Sequence, residues 1–534
     1  MSDESNGVDA PGSAEQYAIG ISFGNSYSSI AHISGEGKVE VIANEEGDRQ
    51  IPSILSYIDG EEYHGTQAKA QLVRNGKNTI ASFRDYVGKD YKSIDPTPCH
   101  GSALPVAADG AIVFSVRDSE SEEPHNVSVL EATTRHLRRL KNSAGDFAGK
   151  SVTSAVISVP TDTSEEQKAT LVQAAANIGV EVLQFIPEPI AALLAYDSRI
   201  AGVTKDKLVV VADLGGNRSD AAVVASRGGL YTILATAHDY ELGGAQLDQV
   251  LIDHFAKDFQ KKHKSDPRTN ERSLAKLKLE SEAVKKSLSQ GTSATFSVES
   301  LADGVDFRST VNRSRFELLA SKVLTRFTRL VEEAIQKADL DVLDIDEVVL
   351  SGGSSHTPRI ASNISDLFPE TTTVLAPATS TSSLNPSELA ARGAALQASL
   401  VQEFEKDDIE QSTHEMVTVT PHLSNAIGLQ VSGSPGDTFE VVVPPATAVP
   451  ARRTATITAP EGDVLIKISE EKIWRPRTLL AELVVKGNKK KGQIEVTVHV
   501  DADLQVSVTA RPTKGQGGVR GVVMAREVVE NGYA

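Results

Sequence analysis

Two glycine-bearing segments of this chain carry residue types suited to holding phosphate. The first is Gly20-Ile21-Ser22-Phe23-Gly24-Asn25-Ser26-Tyr27-Ser28. The second is Val209-Val210-Val211-Ala212-Asp213-Leu214-Gly215-Gly216-Asn217-Arg218-Ser219-Asp220. Each lies between apolar runs, so each is predicted to be a strand–turn–strand hairpin. Glycine lets backbone N–H groups approach an anion closely, because no Cβ intervenes. Two such turns facing each other could hold a triphosphate. A third segment, Val348-Val349-Leu350-Ser351-Gly352-Gly353-Ser354-Ser355-His356-Thr357-Pro358, reads as a strand, a glycine turn and a helix. Its Gly352-Gly353 pair permits flat contact with a base or ribose. Alone it is an ordinary structural turn. After two phosphate hairpins, it completes the order phosphate, phosphate, nucleoside.

The elements that must position these turns are legible around them. From about residue 17 to 400, strand-like runs alternate with amphipathic helices, an α/β pattern. Expected strands include Ser154–Val159, Lys207–Asp213, Gly229–Ala235 and Glu347–Leu350. A helix is expected after Thr161, with a capping box at Ser164 and Gln167, Glu165 and Glu166 at its positive start, and Gly179 at its stop. One long helix is expected to bury Phe316, Leu319, Val323, Leu324, Phe327, Leu330, Val331 and Ile335, spaced three and four apart. After Glu410 the pattern changes to short β-rich runs: Thr438–Val443, Thr454–Thr458, Val464–Ser469, Leu479–Val485, Gln493–Val500 and Leu504–Ala510. Pro444-Pro445, Glu461-Gly462-Asp463 and Gly487-Asn488 read as turns between them. The expected organisation is a tail over 1–16, an α/β domain over 17–402, a polar linker over 403–416 and an all-β domain over 417–534.

Composition bounds the function classes. The 534 residues suffice for several domains. A net charge of −18 argues against attraction of the whole surface to nucleic acid or membrane, while leaving room for local basic patches. Cys99 is the single cysteine, so no internal disulfide can form, and a reducing, cytosolic setting is expected. Cys99 reads as a small incidental side chain rather than a nucleophile. Residues 1–16 are acidic and small, unlike a secretory signal. No stretch approaches the roughly 20 apolar residues that span a bilayer.

Taken together, the three turns and their order resemble the actin, sugar-kinase and heat-shock-chaperone superfamily of two-lobed ATP-binding folds. Over nearly its whole length the chain is similar to the seventy-kilodalton heat-shock chaperone family. The residues that carry this are Gly65-Thr66-Gln67-Ala68-Lys69, Ala155–Pro160, Pro187-Glu188-Pro189-Ile190-Ala191-Ala192, Leu242-Gly243-Gly244 with Leu247-Asp248, and Asn385-Pro386-Ser387-Glu388. Ala448-Val449-Pro450 and Val500-Asp501-Ala502-Asp503 resemble the family's peptide-binding β-sandwich, a domain that actins and sugar kinases lack. The implied fold is a two-lobed actin-like α/β ATPase domain followed by an all-β sandwich, without the family's helical lid. A small-molecule kinase is disfavoured by that β-domain and by the Pro187–Ala192 phrase.

The resemblance also implies site residues. Lys69 matches the family's catalytic lysine, Glu188 its carboxylate near the metal and attacking water, and Asp213 the aspartate of the second hairpin. Glu282, Lys285, Lys286 and Ser289 match adenine and ribose contacts; their spacing alone would be read as a solvated helix face. Gly24, Asn25, Ser26, Gly215, Gly216, Asn217, Arg218, Gly243, Gly244, Gly352, Gly353 and Ser354 complete the expected nucleotide contacts. Two departures matter. Ser22 stands where the family has an aspartate, and serine brings no charge to a hard cation. Asn217 and Arg218 stand where the family has glycine and threonine. Arg218 could lie beside the phosphates in partial place of the metal, assist hydrolysis as an arginine finger, or point to solvent. The stretch Ser412-Thr413-His414-Glu415-Met416-Val417 lacks the apolar cluster with which the family couples its domains.

This pattern of losses is most similar to the atypical members of the family found in the fungal ribosome-associated complex. It implies ATP bound without a tightly held Mg²⁺, lobes held closed, and no catalytic or metal-binding residues in use. The implied partners are a zuotin-like J-domain protein in a stable heterodimer, the ribosome mainly through that partner, a second, ATP-hydrolysing chaperone of the family, and nascent polypeptide, with no membrane. The alternative is an active ATP-driven chaperone with a divergent site, which retention of Lys69, Glu188 and Asp213 keeps open. Two basic runs, Lys261-Lys262-His263-Lys264 and Lys489-Lys490-Lys491, read as solvated faces or as contacts to ribosomal RNA. His422 and Trp474 have no neighbours that suggest a metal or base-stacking site.

Overall fold

The computed structural model describes residues 17–94, 102–108, 110–117, 123–199, 205–402, 404, 407–409, 422–431, 439–459, 462–471, 476–488, 492–512 and 519–522. The expectations for residues 1–16, Cys99, Trp474, Lys489-Lys490-Lys491 and most of 403–416 concern residues outside this set. The chain divides into two compact units. One comprises Met1–Gly202, Leu208–Val224 and Ala235–Ile409; the other comprises Glu410–Ala534 with Val203–Lys207 and Ala225–Leu234. Among the described residues, no helix is long and apolar enough to cross a membrane.

The first unit is organised by two mixed sheets. In one, the order is Glu181–Pro187, Val152–Val159, Tyr17–Phe23, Tyr27–Ile33 and Val39–Ile42, with Ile51–Pro52 paired to Tyr27–Ile33. Tyr17–Phe23 runs parallel to Val152–Val159 and antiparallel to Tyr27–Ile33, as the first hairpin requires. In the other, the order is Leu230–Asp239, Ser219–Arg227, Lys207–Leu214, Glu347–Ser351 and Thr373–Leu375. Lys207–Leu214 and Glu347–Ser351 are parallel, with Asp213 opposite Ser351. Parallel pairing brings strand C-terminal ends to one edge, where ligands gather in open α/β sheets. The second and third glycine turns therefore leave the same edge of one sheet. By the same logic, Ser22, Ser158 and Ile186 stand in register near the ends of three parallel strands of the other sheet. These strands bury Val209, Val210, Val211, Ile19, Ile21 and Ile157 almost completely, which fixes the register of the turns beyond them.

The capped helix after Thr161 forms as expected, and the long apolar helix does not form as one piece. Helix Glu165–Ala176 opens with the Ser164/Gln167 capping box, and Gly179 takes φ +68° just beyond its end. The expected single helix around Phe316–Ile335 is instead two, Arg313–Leu319 and Ser321–Lys337, broken at Ala320 (φ −84°, ψ 0°). Phe316, Leu324 and Phe327 are buried on both sides of the break, so the apolar stripe runs through it.

In the second unit, two four-stranded sheets share one core. Their orders are Glu440–Val443, Ala426–Val431, Gly462–Glu471, Thr478–Asn488, and Ala451–Ala459, Gly492–Val500, Val506–Pro512, Val519–Val522. Val464, Ile466 and Ile468 from one sheet meet Ile494, Val496, Val498 and Val508 from the other. This is the alternation of a sandwich with one face inward on each sheet. Two expected turns are corrected. Gly462 and Asn488 pair with each other as the last rung of the ladder; the register shifts next to them and Gly462 takes φ +105°, so these residues form an irregular strand end.

Candidate functional site

The three glycine turns of the first unit meet. A Cβ on Gly216 would lie 2.2 Å from Ser26 Oγ, so the first and second hairpin turns touch, and only glycine permits that approach. The second turn closes through the Gly215 N–H, which donates to Arg218 O at 3.0 Å. Helix Gly244–His263 docks its start on the same turn: the N–H groups of Gly244 and Ala245 donate to Gly215 O and Gly216 O at 3.0 and 2.8 Å. Gly243 immediately precedes that helix. The third turn arrives from the parallel neighbour strand. Gly352 takes φ +82°, and a Cβ there would lie 2.5 Å from Asp213 Oδ1; Ser354 Oγ donates to Gly215 O at 2.8 Å. Asn25 Oδ1 accepts from the Asp85 N–H at 3.3 Å, while Asn25 Nδ2 is buried without a partner among the described residues. A buried donor of that kind costs about 1–3 kcal/mol until something accepts from it.

Lysines dominate one side of the convergence. Lys69, on helix Gly65–Gln71, reaches Glu282 Oε2 and Tyr27 Oη, both at 2.5 Å. Tyr27 also donates to Glu282 Oε1. Lys286 reaches Tyr27 Oη at 2.7 Å and Glu282 at 2.9 Å, and both lysines stand over the Tyr27 ring at 4.9 and 4.5 Å. Lys285 bonds Gly244 O at 3.0 Å and Asp248 at 2.9 Å. Helix Glu271–Gln290 presents Glu282, Lys285, Lys286 and Ser289, although Ser289 Oγ turns back to Lys285 O at 3.4 Å. Burial alone would raise the Glu282 carboxyl; Lys69, Lys286 and Lys285 outweigh it and hold that carboxyl well below the usual carboxylate range. Burial pulls the Lys69 ammonium down, and Glu282 offsets this only in part because Lys286 repels it.

Carboxylates dominate the other side. Glu188 opens helix Glu188–Asp197 and lies beside Asp213. Burial first, and Asp213 next, push the Glu188 carboxyl far up, while Arg84 at 3.7 Å opposes them. Burial and Asp220 raise Asp213 as well. Arg218 points neither to solvent nor freely into the convergence. Its Nε donates to Asp220 Oδ2 at 2.9 Å, its Nη2 to Asp162 Oδ1 at 2.9 Å and to Asp220 Oδ1, and its guanidinium stands 4.7 Å over the Tyr240 ring. Asp162, Asp220 and His238 offer ligand atoms within 4.8 Å of one another, a spacing that suits a cation, but Arg218 Nη2 already bonds Asp162 and Asp220 and lies 3.5 Å from His238 Nδ1. A cavity of about 220 Å³ adjoins this cluster, lined by Phe23, Arg84, Asp162, Leu171, Arg218 and Tyr240 among others.

Most expected site residues thus converge. Gly353 follows the third turn, 3.8 Å from Ser387 Oγ by its would-be Cβ, and Asn217 is half-buried in the second. Sequence reasoning missed Tyr27, Arg84, Asp162, Asp220 and Tyr240. Tyr27 and Asp220 sit inside the two quoted turns, where their place on the inner hairpin strand was the available signal. Arg84, Asp162 and Tyr240 come from distant segments and have no local signature.

Comparison with known proteins identifies relatives over nearly the whole chain. Residues 18–527 match the family model described as "Hsp70 protein". The ribosome-associated complex subunit SSZ1 of Saccharomyces cerevisiae is 44% identical over 94% of this chain and 99% of its own. A heat shock protein 70 homolog of Schizosaccharomyces pombe is 43% identical over 95% of this chain and 96% of its own. A ribosome-associated molecular chaperone of Saccharomyces cerevisiae is 33% identical over 93% of this chain and 80% of its own. With three glycine turns joined at one point and a match over almost its full length, the chain belongs to the Hsp70 family.

Proposed function

We propose that this chain is a non-cycling, ATP-binding Hsp70-like co-chaperone subunit. In this reading it pairs stably with a zuotin-like J-domain protein on the ribosome and helps stimulate a second, hydrolysing Hsp70 that acts on nascent chains. ATP is the cofactor, held without a tightly bound Mg²⁺, and the second unit serves as a substrate-binding-like domain. The likeness to SSZ1, whose name places it in a ribosome-associated complex, supports the setting.

One observation carries the non-cycling part: Arg218 is ion-paired to Asp220 and Asp162, where three ligand atoms lie close enough for a cation. A guanidinium is a permanent, fixed positive charge. It neutralises the carboxylates but cannot carry or orient a water as a hydrated Mg²⁺ does. Ser22 adds no carboxylate. The raised Glu188 carboxyl keeps its proton near neutrality, which removes a negative charge beside a polyphosphate. A protonated Glu188 is also a poor acceptor for a proton from attacking water.

The residues fit a nucleotide. Gly24, Asn25, Ser26, Gly215, Gly216 and Asn217 would cradle phosphates, with the unpartnered Asn25 Nδ2 as one donor. Gly243, Gly244, Gly352, Gly353 and Ser354 would border the nucleoside. Glu282, Lys285, Lys286 and Ser289 would line the base and ribose side, and Lys69 would stand near the γ-phosphate. When bound, ATP would supply the link that holds the two sheet-bearing lobes closed.

The alternative, an active ATP-driven chaperone, is favoured by the presence of Lys69, Glu188 and Asp213 in the convergence. A single-turnover experiment on the purified full chain separates the two. The nucleotide recovered after prolonged incubation should still be ATP. Hydrolysis at rates typical of cycling Hsp70 proteins would sink the non-cycling reading. Co-purification from extract should recover a J-domain protein with the chain; recovery of the chain alone would count against the partner assignment.

A further inference from the structure

Helix Gly244–His263 ends in a cationic stripe that the nucleotide site does not use. His254, Lys257, Lys261 and Lys264 follow one another at intervals of three, four and three residues, so they lie on one helix face over about 15 Å. Lys264 caps the helix in the left-handed region at φ +61°, which keeps it beside the last turn. Lys257, Lys261 and Lys264 are exposed. Arg315, exposed on the neighbouring helix Arg313–Leu319, adds a fourth permanent charge near His254.

The acids that could compensate this stripe are engaged elsewhere. Asp258 accepts from Ser309 Oγ at 3.0 Å and pairs with Lys262 at 3.7 Å. Asp253 pairs with Arg268 at 3.0 Å. Among the described residues, no side-chain hydrogen bond or ion pair to a carboxylate is made by Lys257, Lys261, Lys264 or Arg315. Burial lowers the His254 pKa; Asp258 opposes this, and Arg315, Lys261 and Lys257 lower it further. Locally uncompensated positive charge therefore stands on a chain whose net charge is −18. Such a patch would attract an anion at short range, within about 8–10 Å at physiological salt.

We propose that this face is a docking surface for the phosphodiester backbone of RNA. A straight row of lysines matches a continuous row of phosphates. Lysine is a compact point charge suited to phosphate contact without base readout. The stripe itself carries no aromatic or aliphatic anchor of the kind a membrane-surface helix inserts. The choice of RNA as the polyanion rests on the ribosome-linked reading above; the charge argument does not.

The test uses the purified full chain without any partner and a labelled short RNA duplex of arbitrary sequence. With four phosphate contacts, affinity should fall about 100-fold between about 50 and 200 mM salt. In a Lys257→Glu/Lys261→Glu/Lys264→Glu variant, binding at low salt should be lost. In the milder Lys→Gln triple variant the same salt step should cost only about 3- to 5-fold. ATP binding of both variants should match the parent, because the stripe lies outside the nucleotide residues; both should unfold cooperatively, the Glu variant at a somewhat lower temperature because acids replace cations at the helix C-terminus. Absence of RNA binding by the parent at low salt, or unchanged binding by the folded variants, would overturn the proposal. So would tighter binding to phosphatidylserine vesicles or to polyglutamate than to RNA. These outcomes leave the nucleotide turnover result untouched, so the two readings fail separately.

Discussion

The two sides of the glycine convergence solve the same electrostatic problem in opposite ways. On the carboxylate side, Asp162, Asp213, Asp220 and Glu188 are balanced by two arginines, Arg84 and Arg218. On the lysine side, Lys69, Lys285 and Lys286 are balanced by Glu282 and Asp248. Arginine forks hold fixed geometry and never lose their proton. Lysines are single points on long stems that can turn to a new partner. The carboxylate side is therefore built in, and the lysine side is held provisionally. That division fits the non-cycling reading proposed above.

The sharpest way to break the contrast is Arg218→Ala. It leaves Asp162, Asp220 and His238 close together, with side chains only 17–27% exposed and no guanidinium between them. Removing one partner of such a network costs about 2–4 kcal/mol, read as a fall in the denaturant midpoint with unchanged slope. The emptied cluster also has the ligand spacing for a cation. Added Mg²⁺ or Zn²⁺ should raise the melting temperature of the variant and leave the parent unmoved. An equal response in the parent would mean that Arg218 does not stand in for a cation.

pH separates the two sides by sign. The Glu282 carboxyl is depressed in the folded chain, so its contribution to stability is present above the ordinary carboxylate range and is lost as pH falls through its folded value. The Glu188 carboxyl is raised to about 8, so the folded chain holds a proton that the unfolded chain releases, and stability falls as pH rises from the ordinary carboxylate range to about 8. Glu282→Gln should cost about 1–3 kcal/mol near neutrality and flatten the loss of stability below about pH 4. Glu188→Gln should flatten the decline between the ordinary carboxylate range and about pH 8, and be the more stable chain at the upper end. Urea unfolding across that range checks both. Parallel slopes in the two variants would remove the contrast.

Much of this frame was legible in the residues, and the reason is local physics. Both hairpins, the strand–turn–helix at Gly352 and the Ser164/Gln167 cap depend on neighbours in sequence, and the structure has each of them. The helix break at Ala320 was not legible, because alanine favours helix and the buried stripe continues across it. Strands Ala426–Val431 and Val519–Val522 were missed because Gly428 and Gly521 interrupt their apolar runs, and ladder partners outside each segment complete them. The partners of Arg218 were invisible for the same reason. Asp162 is 56 residues before it and Tyr240 follows the end of another strand. A charged residue in a turn discloses its charge, while its partner is set by the fold.

Lys286 gives the smallest stability effect and the finest discrimination. Its side chain is 58% exposed, so its contacts to Glu282 at 2.9 Å and Tyr27 at 2.7 Å are screened by solvent. Lys286→Ala should shift stability by no more than about 0.5 kcal/mol. Glu282 keeps Lys69, and Tyr27 keeps its bond to Glu282, so no buried charge is orphaned. The effect should appear on the nucleotide instead. If Lys286 is free to turn to ATP, its loss should weaken binding about five- to tenfold, the scale of one ordinary, solvent-screened hydrogen bond. Calorimetric titration with ATP measures this in the same preparation. A variant that loses stability but binds ATP as the parent does would make the lysine side as structural as the arginine side. The distinction between a built-in and a provisional balance would then fall.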